Sequence, residues 1–136
     1  MKILFSFFKY LLPALMWAIF ILILATLNNG GFVSQTFLGI ETDKWGHLFM
    51  FSILVFFIMQ GLIKYWRFSF FLKKIQLYAF VIAFLYGVII ELIQHFLTSY
   101  RTAEIWDIVA NFVGCLIGLL LFKSVYGNLK FLDKDI

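Results

Sequence analysis

Charged residues are scarce in this chain, 13% of 136 positions against 64% hydrophobic. A soluble domain of this length needs a charged surface to separate its apolar core from water, so that class is excluded. A single cysteine, Cys115, rules out an intrachain disulfide, and within an apolar run it acts as a small hydrophobe. The single proline, Pro13, is expected in the first turn or two of the first apolar segment, where a lost backbone hydrogen bond costs least. No small-x-small site follows that segment (Ala25-Thr26-Leu27-Asn28-Asn29), so it reads as an uncleaved span and not as a secretory signal. No ionisable residue occupies the inner half of any span, which argues against a proton relay across a membrane.

What the chain does have is hydrocarbon in four long runs. They cover about Leu11–Leu27, His47–Ile63, Ile75–Leu97 and Ile105–Phe122, and a bilayer crossing takes roughly 20 residues. The expected fold is an all-α membrane protein, a four-helix transmembrane bundle that uses the whole of residues 1–136 as one domain. Nine of the eleven Lys and Arg residues fall before the first run, between the second and third, or after the fourth. Only Lys44 and Arg101 fall on the other side. Cytoplasmic loops carry such an excess, so both termini are expected inside.

The segment Lys64–Lys74 interleaves cations with aromatics. Between two spans this composition describes headgroup contact with anionic lipid, and no nucleic-acid partner is expected. Five of the seven acids (Glu41, Asp43, Glu91, Glu104 and Asp107) lie toward the outer side, with Trp45 and Trp106 marking the interface beside them.

Polar residues within the runs follow helical spacing. Asp43 and His47 are four apart, and Lys44 and His47 are three apart. Glu91, Gln94 and His95 stack at i, i+3 and i+4, and Asp107, Asn111, Gly114 and Gly118 form a further stripe. Glu91 and Asn111 each lie about 9 Å below the outer end of their helices, at 1.5 Å per residue. Alternation of helix direction then puts three patches at one membrane level, where facing one another they are paired or hydrated. Gly87, Gly114 and Gly118 are the expected points of close helix approach. The first span, with no ionisable residue in its interior, is scaffold.

Each of these residues also has a plainer role. Asp43, Lys44 and Glu104 suit caps and anchors at helix mouths. Arg101 can reach headgroup phosphate, Asp107 suits a helix N-terminus, and Asn111 can tie helices together. Glu91 with His95 is the pair least explained by structure alone. Glu91, His95, His47 and Asp107 include enough donors for a metal, but no dedicated signature such as H-E-x-x-H is present, and Gln94 and Asn111 favour hydrogen bonding. No metal and no cofactor is therefore expected. Thr98 and Ser99 fit no nucleophilic triad by spacing.

Three functions remain open. The leading one is recognition of an amphiphile, with Asp43, Lys44, His47, Glu91, Gln94, His95, Arg101, Asp107 and Asn111 holding the polar head and the bundle holding the tail. The second is a membrane enzyme acting on a lipid-linked phosphate or glycan, with Glu91, His47 and Asp107 as catalytic candidates. The third is a structural partner of another membrane protein. Oligomeric state is not legible.

The ordered set Asp43-Lys44-x-x-His47-x-x-x-Phe51, Glu91-x-x-Gln94 with Arg101, and Asp107-x-x-x-Asn111-x-x-Gly114-x-x-x-Gly118 resembles the VanZ-like family of small bacterial membrane proteins. The resemblance covers about residues 43–122; Leu48 stands where an aromatic residue often follows the histidine. It implies a multi-pass protein of the bacterial cytoplasmic membrane. It also implies a polar set of Asp43, Lys44, His47, Glu91, Gln94, Arg101, Asp107 and Asn111, and partners such as membrane lipids, a lipid-linked cell-wall precursor or a glycopeptide. Named members are associated with resistance to the glycopeptide teicoplanin. His95 is not part of what the resemblance implies.

Overall fold

The computed structural model describes residues 2–27, 36–66, 72–97 and 105–126. The elements run α1 (Lys2–Leu27), β1 (Thr36–Phe37), β2 (Ile40–Glu41), α2 (Thr42–Trp66), α3 (Leu72–Leu97) and α4 (Ile105–Tyr126). All four helices are long and apolar enough to cross a membrane. Their exposed side chains are apolar too, including Met16, Ile19, Leu85, Phe112 and Leu120, as surfaces bathed in lipid should be.

Pro13 departs from expectation. Helix α1 begins at Lys2, so the proline lies in its interior and not in the opening turns. The apolar, aromatic stretch before it carries the helix outward past the nominal start of the hydrophobic run. Membrane helices tolerate the break because neighbouring groups re-satisfy the freed carbonyl.

Helix α2 packs against the other three, most extensively against α4. Its inward residues Phe51, Leu54, Val55, Ile58, Met59 and Leu62 are all buried. Where helices come closest, the facing residue is small. A Cβ on Gly114 would meet the Leu48 carbonyl oxygen at 2.5 Å, and one on Gly118 would meet the Ser52 carbonyl oxygen at 2.5 Å. Backbone-to-backbone approach of this kind replaces hydrophobic drive inside a bilayer. The Ser52 hydroxyl sits in the same seam, 2.7 Å from Leu48 O and 2.9 Å from Gly114 O, and so bridges α2 and α4.

On α1, Phe7, Leu11, Ala14, Ala18, Ile21 and Ala25 turn toward the core at helical spacing. Gly61 of α2 does for this crossing what Gly114 does for the other, since a Cβ there would meet Tyr10 O at 2.8 Å. Two polar ties hold the helix in register. Trp17 Nε1 donates to Met50 O at 2.9 Å, and Tyr86 Oη donates to Ala18 O at 2.6 Å.

A short hairpin precedes α2, with Thr36 opposite Glu41 and Phe37 opposite Ile40. Leu38 (φ 53°) and Gly39 (φ 76°) both take the left-handed conformation that a two-residue hairpin turn requires. The hairpin lies over the start of α2, where Trp45 Nε1 donates to Phe37 O at 3.2 Å and the two rings meet edge to face.

Candidate functional site

Alternating helix direction brings the start of α2, the end of α3 and the start of α4 to one end of the bundle. His47 is the hub there, 3% exposed. Its Nδ1 lies 3.1 Å from Asn111 Oδ1 of α4 and 3.4 Å from Glu91 Oε1 of α3. Both neighbours present acceptor oxygens, so the Nδ1 proton is donated and the free lone pair belongs to Nε2. That second nitrogen faces outward, 3.9 Å from Asp43 Oδ2 one helical turn earlier.

Burial increases inward from this outer carboxylate. Asp43 retains 35% side-chain exposure, whereas Glu91, Asp107 and Asn111 are buried. Charged groups this deep are costly unless neighbours compensate them. Lys44 Nζ supplies one compensation, 3.8 Å from Asp107 Oδ1, while also bonding Glu41 of the hairpin. The amide nitrogen of Asn111 is buried beside Gly87, whose missing Cβ leaves the room it occupies; a Cβ there would come within 3.0 Å.

Two polar residues of α3 part company. Gln94 is buried, and its Nε2 points to Ala25 O of α1 at 3.4 Å. His95 is exposed at the helix surface, its ring edge-on to Phe96. In the outer part of α3 the residues facing the core are Ala83, Gly87, Ile90, Glu91 and Gln94, centred near Gln94. At about 100° per residue, Glu91 lies some 60° to one side of that centre, and His95 lies roughly 100° from it on the same side. Arg101, Glu104, Thr98 and Ser99 lie outside the described residues.

Beside the cluster runs a groove of about 640 Å³ between α2 and α4. Trp45 and Leu48 form one wall and Trp106, Val109 and Val113 the other, with the hairpin closing one end through Gly39 and Ile40. Lys44 and Glu41 are its polar members. Lys44 therefore belongs both to the groove and, through Asp107, to the buried cluster. Sequence spacing did not indicate the groove, because its walls are ordinary apolar positions distinguished only by helix crossing and by the hairpin above them.

A chain with this arrangement has known relatives. The VanZ/LLP1 family pattern matches residues 3–126, and an uncharacterized protein of Schizosaccharomyces pombe is 35% identical over 117 residues, covering 85% of this chain and 67% of that protein. No solved structure is significantly similar. By the extent of the family match and by its four apolar helices, the chain is a multi-pass membrane protein of the VanZ/LLP1 family.

Proposed function

We propose that the protein binds a membrane amphiphile with an anionic head, seating the head at Lys44 and the His47 cluster and a chain in the α2–α4 groove. The observation that carries this reading is the double membership of Lys44, which borders the apolar groove and stands 3.8 Å from buried Asp107. A site for an amphiphile needs that junction, with an apolar wall running directly into a few convergent polar groups. Phosphate is a head that the Lys44 ammonium at this junction would recognise by a charge-assisted hydrogen bond. An ammonium bordering an apolar groove favours a lipid phosphate over a glycopeptide, and a role in teicoplanin resistance would be a consequence of lipid handling. With both termini cytoplasmic, as the Lys/Arg distribution favours, the site faces the outer leaflet. The test is titration of the purified protein in neutral-lipid nanodiscs with a polyisoprenyl phosphate and with the matching neutral alcohol. Saturable binding of the phosphate alone supports the reading; equal partitioning of both ends it.

A second reading is turnover at the same place, and the orientation of His47 favours it over other chemistries. Glu91 and Asn111 lie on the Nδ1 side, which leaves Nε2 as the proton-handling atom and makes Glu91 a positioning residue. Release of inorganic phosphate or free alcohol from the bound lipid, abolished in His47→Gln, distinguishes catalysis from binding.

A further inference from the structure

The outer side of the His47 ring assembles donors from two helices. One ligand atom from each of Asp43, His47 and Asp107 lies within 4.8 Å of the others. Two come from successive turns of α2 and the third from the first turn of α4, so helix packing sets the separation between the two elements. We infer that these three residues form a binding site for a divalent first-row metal ion, Zn²⁺ or Mn²⁺.

Three observations support this. The ring is poised as a ligand: Nδ1 is engaged by Asn111 and Glu91 from behind, and Nε2 points toward Asp43. A carboxylate behind a histidine, fixing its tautomer and raising its basicity, is the recurrent support of metal-bound imidazole. The donors are also largely withdrawn from water, with His47 at 3% and Asp107 at 7% exposure, so this is not a solvated acidic surface. Finally, the mixture of one imidazole with two carboxylates suits Zn²⁺ or Mn²⁺ better than the all-oxygen preference of Mg²⁺ or Ca²⁺.

Asp43 is the most exposed of the three, with 35% of its side chain accessible at the helix mouth. An ion held by three protein groups keeps further positions open. Of the four donors that spacing had grouped, His47 and Asp107 remain, Glu91 lies behind the ring on the Nδ1 side, His95 is exposed elsewhere, and Asp43 joins. The metal site stands whether or not a lipid binds in the groove.

The test uses the full-length protein in detergent, stripped with chelator and titrated with Zn²⁺ or Mn²⁺ alone, by calorimetry and by metal analysis after desalting. Wild type and His95→Ala are expected to retain one equivalent per chain. Asp43→Asn, His47→Ala and Asp107→Asn should weaken binding by about tenfold or more, with helicity and elution volume unchanged. Lys44→Met should bind the ion more tightly than wild type, because it removes a competing cation 3.8 Å from Asp107. A merely structural role for these residues predicts no such gain. Absence of saturable uptake by wild type, or wild-type affinity in Asp107→Asn, overturns the inference.

Discussion

His47 and Asn111, 64 positions apart in sequence, meet at 3.1 Å where α2 and α4 cross, and both are buried. The contact does two things. It fixes which imidazole nitrogen is free, and it joins the two helices that flank the groove. Consequences for stability and for binding therefore separate along different residues.

The His47–Asn111 pair should be energetically coupled. A double-mutant cycle with His47→Ala and Asn111→Ala, read by thermal unfolding in detergent, is expected to give about 0.6–2 kcal/mol of coupling, the range of interhelical hydrogen bonds in membranes. Additive losses would mean that the two residues act on separate structures.

The α2–α4 seam is close-packed at the backbone. Gly114→Ala and Gly118→Ala place a Cβ 2.5 Å from a carbonyl oxygen of α2, so the helices must separate. Each is expected to destabilise by about 1–3 kcal/mol. Gly46→Ala, whose nearest neighbour would be the end of the Met50 side chain at 3.8 Å, should be silent. Melting temperatures of the three variants check this directly.

Groove and head site should fail in different ways. Ala110 of α4 also lines the groove, so Ala110→Trp fills it and should lower affinity for long-chain phosphates while sparing short-chain ones. Lys44→Gln should lower affinity for every chain length by about tenfold, the equivalent of ~1.4 kcal/mol for one charge-assisted contact. Binding series against chain length separate the two effects.

Topology is accessible through the buried cysteine. Cys115 is 0% exposed and should resist maleimide in the folded protein, which leaves single introduced cysteines as reporters. Phe37→Cys on the hairpin should label from outside intact cells, and Lys123→Cys at the end of α4 only after permeabilisation. The reverse pattern would invert the site to the inner leaflet.

Much of this arrangement was legible from residue order. Four apolar runs give four spans, and the alternation of direction that follows from short connections brings Asp43, His47, Glu91, Asp107 and Asn111 to one end. Rotation about each helix axis was less legible. Glu91 and His95 satisfy the same-face rule, yet packing through Ala79, Ala83 and Gly87 turns α3 so that Glu91 enters the core and His95 does not. Only the mean direction of small residues along α3 carried that information. The hairpin over α2 was hidden for a different reason: strands of two residues are too short to show alternation, and Leu38 is an unusual occupant of a left-handed turn position. The helical start of α1 at Lys2 was missed because Ser6, Lys9 and Tyr10 interrupt the hydropathy run, whereas a helix continues until its backbone loses partners.

The central claim is that Lys44 joins an apolar groove to a buried polar head site, and native mass spectrometry tests it most directly. Wild-type protein, offered equimolar polyisoprenyl phosphate and polyisoprenol, should retain one phosphate lipid per chain after the detergent is stripped. Lys44→Gln should retain neither lipid selectively. Equal retention of phosphate and alcohol by both proteins would contradict the account.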